Sequence, residues 1–366
     1  MFKKSLAVSS AVAAVLGTFG GGAAFAAVPP PSVGGKIYAD LTYLDEKEND
    51  TKIAPSGVGV DVKRFYLTFS EKFNDTWSAN ITTDAAYSSG GGAVDVFIKK
   101  AFLQYSLPGS KAFFARLGSA DLPWIPFVED LYGYRYVENT LIDRLHFGTS
   151  ADWGVHAGGQ IDGASYAVSV VNGSGYKNPT RSKSVDVEAR LAYAPIDGLT
   201  VAIGGYSGKL GKDNYAAAAT DTAPATYHTA NRFDALVAYV NNGARLGVEY
   251  FSANDWNNVT TAASDKADGY AVWGSYDFTS MYSVFARWDQ AKTSKDLNPD
   301  LKDDYFNVGF ATHPTKGVDV ALVYKHEKMD NGFINSSYGG FSKTLGAVPM
   351  TRGEVNEVGI WGQVAF

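Results

Sequence analysis

The segment DVKRFYLTFSEKF, residues 61–73, sets Phe65, Leu67 and Phe69 at one parity and Arg64, Tyr66, Thr68 and Ser70 at the other. Successive side chains of a β-strand point to opposite faces, so this reads as a strand with one apolar and one polar face. A tight turn at Asn74-Asp75 ends it, and Trp77–Ser88 takes the pattern up again. Upstream, Lys36–Leu44 reads as a first strand, followed by the charged loop Asp45–Ser56. The Pro/Gly lead Val28–Gly35 before it is expected to be a flexible tail.

Downstream the same period recurs to the end of the chain. Asp95–Leu107 alternates Ala101, Leu103 and Tyr105 with Lys100, Phe102, Gln104 and Ser106, and Ala112–Gly118 follows a Pro108-Gly109-Ser110 turn. Asp162-Gly163 and Asn241-Asn242-Gly243 are hairpin signals, because both need residues at positive φ. Ser184–Ala194 carries Val185, Val187, Ala189, Leu191 and Tyr193 opposite Asp186, Glu188 and Arg190. The count reaches 16 strands, with links of 2–5 residues taking turns with links of 6–33. That rhythm predicts an all-β, 16-stranded antiparallel up-and-down transmembrane β-barrel, with short periplasmic turns and long extracellular loops. An even number of strands brings both ends to the short-turn side.

Composition narrows the class. No cysteine is present, which excludes a disulfide scaffold and any cysteine-based metal or catalytic site. Aromatic residues make up 14% of the chain and glycines number 39, while no stretch reaches the ~18 apolar residues of a membrane-spanning helix. Lys3-Lys4, the apolar Leu6–Phe19 and Ala24-Phe25-Ala26 read as a signal peptide over residues 1–26, leaving 27–366 for the barrel. Without those two lysines, 30 basic residues face 38 acidic ones, which argues against a nucleic-acid partner. Bases stand mid-strand on the polar face: Arg64, Lys100, Arg116, Arg190, Arg245, Arg287 and Lys325. In a membrane barrel that face lines water and the apolar face meets lipid. Tyr43, Phe73, Trp77, Tyr105, Trp153, Tyr193, Tyr250, Tyr276, Trp288 and Tyr324 then suit aromatic girdles near the strand ends.

One link breaks the pattern. After Ala112–Gly118 come about 25 residues that fit neither strand nor helix well, with Pro123, Pro126, and the acids Asp121, Glu129, Asp130, Glu138 and Asp143. A long, aromatic, acid-rich connection among short ones is where function is expected, so residues 120–148 are read as a third loop folded into the barrel. Its acids could face Arg64, Lys100 and Arg116 across a narrow gap and set a transverse field, or pin the loop through Arg135 and Arg144. Trp124, Phe127, Tyr132, Tyr134 and Tyr136 offer either a sliding surface for solutes or packing against the wall.

The final strand, GEVNEVGIWGQVAF, alternates and ends in Phe366, and so resembles the recognition signal of Gram-negative outer-membrane proteins. The whole chain after the signal resembles a Gram-negative porin. Arg116-Leu117-Gly118 leading into a proline-bearing loop, and YAVSVVNGSG at Tyr166–Gly175, look like the phosphate-selective porin O and P family. The resemblance implies a homotrimer of 16-stranded barrels, each narrowed by its third loop. Phosphate selectivity is not carried over, because Asp186, Glu188, Glu249 and Asp289 interleave with the inward bases.

The expected function is passive diffusion of small hydrophilic solutes and ions through the cell outer membrane, among lipid and lipopolysaccharide. No cofactor and no metal is expected. His146, His156, His228, His313 and His326 show no zinc-binding spacing, and no nucleophile-elbow motif is present. A substrate-specific anion or phosphate channel is the nearer alternative; a barrel enzyme, with a serine set against His156, or an adhesin is the more distant one.

Overall fold

The computed structural model describes residues 30–54, 56–87, 94–214, 225–332 and 351–366, so the signal at 1–26 lies outside the described residues. Sixteen strands make one barrel. The first five are β1 (Ser32–Glu48), β2 (Gly57–Lys72), β3 (Trp77–Tyr87), β4 (Val94–Ser106) and β5 (Phe114–Asp121). Two short helices, α1 (Ile125–Tyr132) and α2 (Leu141–Arg144), follow. Then come β6 (Ala151–Ile161), β7 (Ala164–Val171), β8 (Asp186–Ile196), β9 (Leu199–Gly208), β10 (Ala230–Asn241) and β11 (Ala244–Asn254). The last five are β12 (Lys266–Asp277), β13 (Tyr282–Lys292), β14 (Lys302–Thr315), β15 (Val318–Asp330) and β16 (Arg352–Ala365). A two-residue piece, Thr51–Lys52, folds back onto β1.

Every strand pairs antiparallel with its chain neighbour, and β1 closes the ring on β16 from Lys36↔Ala365 to Glu48↔Gly353. Closure leaves no sheet edge, which is what a strand structure in hydrocarbon needs. Tight links, down to the pairs 162–163, 197–198, 242–243 and 316–317, gather at one rim with the start of β1 and the end of β16. Asp162 (φ 47°), Gly163 (81°), Asn242 (52°) and Gly243 (76°) hold the positive φ that their two turns require. The strand ends joined by the long links lie at the other rim, the longest described link running from 122 to 150.

The two faces separate as the alternation dictates. On β14, Phe306, Val308 and Phe310 are 38%, 49% and 44% exposed on the outside, while Asp303, Tyr305 and Asn307 are buried inside. Outward aromatics meet edge-on or stacked near both rims: Trp77 with Tyr105 and Tyr282 with Phe310 at the tight-turn end, Tyr270 with Trp288 and Phe306 with Tyr324 toward the other. These are the girdles of a transmembrane barrel.

Three features differ from the alternation read along the sequence. The lead is not a free tail through its length, because Ser32–Gly35 pair with Leu67–Ser70 and the Gly35 N–H donates to the Phe366 carbonyl at 3.0 Å. The lower half of β2 needs a partner there, and the lead supplies it. β1 also runs on to Glu48, so the first third of the expected loop Asp45–Ser56 is strand. A tilted strand crosses a bilayer in about 9–11 residues, and β1, at 17, continues past it as a collar.

The third difference is a pair of β-bulges. Pairing slips between Tyr38↔Arg64 and Ala39↔Val62, and again between Thr82↔Lys100 and Thr83↔Ile98. The extra residues are Lys63 and Lys99. A bulge shifts the parity of one strand by one, so Val58, Val60 and Val62 share the outer face with Phe65 and Phe69. Adjacent bases, Lys63 with Arg64 and Lys99 with Lys100, are thereby both available to the interior.

Candidate functional site

The link 122–150 leaves the wall at Asp121 and lies inside the barrel, its ends tied by the Leu122 N–H to the Ser150 carbonyl at 3.0 Å. Expected to fit neither regular form, it holds two short helices joined by an irregular crossing. Pro126 sits in the first turn of α1, where its missing N–H is harmless, and Gly133 ends the helix in the left-handed region. Nearly all the apolar side chains of the link are buried: Trp124, Ile125, Val128, Leu141 and Ile142 are at most 1% exposed. Phe127, which packs under the Arg190 guanidinium, is half-buried. The aromatic residues therefore pack the loop against the barrel, the second of the two readings offered above; Tyr134 stacks on Phe285 with centroids 4.1 Å apart.

The loop docks on the half of the wall formed by β8 to β15. The Trp124 backbone N–H donates to Glu188 and its indole N–H to Glu249, both at 2.9 Å. Arg144, fully buried, sits among three equally buried acids: Asp289 (3.1 Å), Glu327 (2.5 Å) and Asp303. Charge-assisted hydrogen bonds of this kind are the strong ones, and planar guanidinium suits several carboxylates at once. Of the wall acids that interleave with the bases, Glu188, Glu249 and Asp289 are thus consumed in holding the loop, whereas Asp186 accepts from the Tyr206 hydroxyl and the backbone of Lys209 and Leu210.

The wall bases on this side do the same through the loop's carbonyl groups. Arg190 donates to the Pro123 carbonyl at 3.0 Å with its guanidinium 3.9 Å from the Phe127 ring. Arg245 donates to the Asp130 and Leu131 carbonyls at 3.2 Å, and Arg287 to that of Asn139 at 2.5 Å. Lys325 donates to the Val137 carbonyl at 2.8 Å and meets Glu138 at 3.3 Å. These four positions, expected on a water-lined face, lie under the loop. Burial would raise the Glu138 carboxyl, but Lys325, the Asn139 N–H, Arg144 and Arg287 outweigh it and hold it below the usual carboxylate range.

The other face of the loop looks across the interior to β1 through β5. There Arg135 holds Glu129 and Asp143 of its own loop. Those two acids pin the loop, while Asp130 is exposed and Asp121 pairs with Lys100 of the wall at 2.8 Å. Opposite stand Arg64 and, beside it, Lys99, whose ammonium lies 4.7 Å over the Tyr66 ring. Arg116 lies further toward the tight-turn rim, bonded to Gln104 at 2.8 Å between the rings of Phe102 and Phe114. Its strand partner Gln104 is four residues along β4 from Lys100, roughly 13 Å at strand rise. Arg64 and Lys100 therefore share the loop's level and Arg116 does not.

Between the loop tip and the wall formed by β15, β16, β1 and β2 lies a cavity of about 260 Å³, lined by Tyr38, Lys63, Arg64, Arg135, Tyr136, Glu138, Lys325, Glu357 and Trp361 among others. Lys63 and Lys99 were missed by parity alone. Their signal was legible: the apolar parity changes between Val62 and Phe65, and a bulge is the cause.

Two serine–histidine pairs bear on catalysis. His156 meets Ser169 at 2.8 Å, but its second ring nitrogen faces the Gly118 carbonyl rather than an acid. Ser283, His313 and Asp319 do form a chain, at 3.0 Å and 2.6 Å. Ser283 is fully buried and its hydroxyl also meets that of Tyr134 at 2.9 Å. A nucleophile needs an open approach for its substrate, and here loop 122–150 occupies it.

No protein-family model matches the chain, and no curated protein matches it either. Solved structures do share its fold. An anion-selective porin from Comamonas acidovorans superposes with a TM-score of 0.64 at 13% identity, over 92% of this chain and 99% of that one. The outer membrane channel DcaP of Acinetobacter baumannii gives 0.61 at 13% identity, covering 92% and 97%. The Salmonella typhi OmpF complex with daunomycin gives 0.59 at 12% identity, also covering 92% and 97%. At these identities the likeness is one of fold.

Proposed function

We propose that this chain is an outer-membrane porin, a water-filled channel for passive diffusion of small hydrophilic solutes and ions. The observation that carries the proposal is the division of the interior. Loop 122–150 is clamped to the β8–β15 wall, and a charged gap is left between its tip and the wall of β16, β1 and β2. A barrel of this strand number leaves an aqueous channel unless something fills it. In this reading the signal at 1–26 exports the chain, the tight turns face the periplasm, and the belt sits among outer-membrane lipid and lipopolysaccharide. A homotrimer is part of the proposal, and its support is the family resemblance.

In this reading the constriction lies at the level of Arg64 and Lys100, with Asp121, Glu129, Asp130, Arg135 and Asp143 opposite. Arg190, Arg245, Arg287, Glu138 and Lys325 shape it by fixing the loop, and Arg116 stands nearer the exit. The test is the reversal potential of purified protein in a planar bilayer under a salt gradient. Conductance steps are expected, and their absence would defeat the proposal.

A specific anion channel, including the narrower phosphate-selective reading, has one observation in its favour: two bulges double the bases on one wall. Strong anion preference with block by added phosphate would select it. An enzyme is supported only by the Ser283–His313–Asp319 chain. Labelling of Ser283 by a fluorophosphonate in the folded protein would revive that reading, and none is expected while Tyr134 covers the hydroxyl.

A further inference from the structure

The outer face of the barrel changes character above the girdle nearer the long-link rim, along one run of adjacent strands. The outward girdle residue is Tyr270 on β12, Trp288 on β13, Phe306 on β14, Tyr324 on β15 and Tyr43 on β1. Four residues further toward that rim stand Lys266, Lys292, Lys302, Lys328 and Lys47. An even spacing keeps each lysine on the same face as its aromatic residue. On β16, which lies between β15 and β1, Glu354 takes this place and is paired with Arg352 at 2.9 Å. Past the belt on β2 and β4 the outward face is valine instead, with Val58 and Val60 both 76% exposed and Val94 and Val96 beside them.

The lysines form a row in a chain whose acids outnumber its bases. Lys302 pairs with Asp304 at 2.7 Å, Lys328 with Asp330 at 2.8 Å, Lys47 with Asp45 at 3.3 Å and Lys266 with Asp296 at 3.5 Å. Exposed pairs of this kind are weak, and an ammonium has three protons of which one carboxylate contact uses one. Lys292 is exposed and has no hydrogen bond or ion pair among the described residues. Its cross-strand neighbour Asp268 is taken by Lys295. Mutual neutralisation across the sheet therefore leaves positive charge over at the β12–β13 end.

We infer that this row is a docking face for lipid headgroups that carry more than one phosphate, namely the lipopolysaccharide of the outer leaflet, held on one side of the barrel. The inference rests on the outer-membrane reading above and turns a general lipid surrounding into a specific site. Four residues are roughly 13 Å along a strand, or about 10 Å of height at the tilt of such barrels. That puts the ammonium groups above the aromatic girdle, where the phosphates of a leaflet stand. Six adjacent strands spread the row over roughly 24 Å of perimeter. A free phosphate meets only neighbouring lysines at a time. Phosphates fixed to one headgroup engage the row at several points, each contact raising the effective concentration for the next.

The test is native mass spectrometry of the purified barrel in neutral detergent, titrated with bisphosphorylated lipid A, monophosphorylated lipid A and phosphatidylglycerol, alongside bilayer conductance of the same preparation. Bisphosphorylated lipid A is expected to bind tightest. A lysine near an anionic surface contributes about fivefold to binding, so the triple variant Lys292→Gln, Lys302→Gln, Lys328→Gln should weaken it about a hundredfold. Arg181→Gln, exposed on the link between β7 and β8, should leave it unchanged. All these side chains lie at the surface, and heat-sensitive gel mobility checks that each barrel is folded. Equal lipid A binding by the triple variant and the unmodified chain overturns the site. Phosphatidylglycerol or monophosphorylated lipid A binding as tightly as the bisphosphorylated form overturns the multiple-phosphate assignment, as does displacement of lipid A by an equal concentration of inorganic phosphate. Conductance steps without lipid A binding overturn the site and leave the channel standing; lipid A binding in a barrel without steps keeps the site and overturns the channel.

Discussion

Arg144→Met should release the C-terminal half of the inner loop without unfolding the barrel. The methionine keeps a stem of similar length but removes the guanidinium that Asp289, Asp303 and Glu327 share, every one of the four fully buried. Asp289 retains Arg287 at 2.6 Å, whereas Asp303 and Glu327 lose their cation. Breaking a buried ion pair from one side costs about 3–5 kcal/mol, because the remaining charge stays desolvated. At 1.4 kcal/mol per factor of ten, the docking equilibrium constant of α2 falls by about two to three and a half orders of magnitude. The interstrand ladder does not involve Arg144, so the folded barrel should keep its heat-sensitive mobility on gels. The loop's N-terminal half should stay docked through Trp124 on Glu188 and Glu249.

The assay is single-channel conductance, paired with hydrogen exchange of the amides at 140–147. Conductance should rise and exchange should accelerate there. Adding Asp303→Asn and Glu327→Gln should restore part of the docking, since neutral amides leave no buried charge unpaired. Unchanged conductance together with unchanged exchange in Arg144→Met would refute the clamp.

Other consequences follow from single contacts. Asp130→Asn removes an exposed charge on the loop's free face, so the reversal potential should move toward anions, and an unmoved value would place Asp130 off the ion path. Gly118 sits at φ 130°, and a Cβ there would lie 2.1 Å from the Ala101 carbonyl oxygen. Gly118→Ala should therefore impair β4–β5 pairing and lower the folded fraction on a heat-modifiability gel. Glu138, held below the ordinary glutamate value of about 4.3, contributes docking stability that is complete above that value and is lost only as pH falls through the depressed one. Lys325→Met should move that loss to higher pH, measured as the onset of altered conductance on acidification.

Much of this architecture was legible because a strand's parity is a local property. Residue 65 faces away from residue 66 whatever the rest of the chain does, so Phe65 against Tyr66, repeated over sixteen segments, sufficed for the barrel. The alternation of tight and long links gave the two rims, and the acid-rich break gave the inner loop. Parity fails only where a bulge inserts a residue, as at Lys63 and Lys99, and the register that creates a bulge belongs to two strands at once. What each charge does was out of reach for the same reason. Arg64 and Arg287 look alike in sequence, each mid-strand on a polar face. Arg287 is covered because the inner loop turns toward β8–β15, and Arg64 stays open because the loop turns away from β2. That choice is made by Arg144 finding Asp289, Asp303 and Glu327 on three different strands, contacts that span 145 to 183 residues of chain. The sequence by itself determined a membrane barrel with something inside it. Only the closed tertiary structure, by bringing distant strands within the short reach of ion pairs and hydrogen bonds, decided which wall the loop covers and which charges remain to meet a solute.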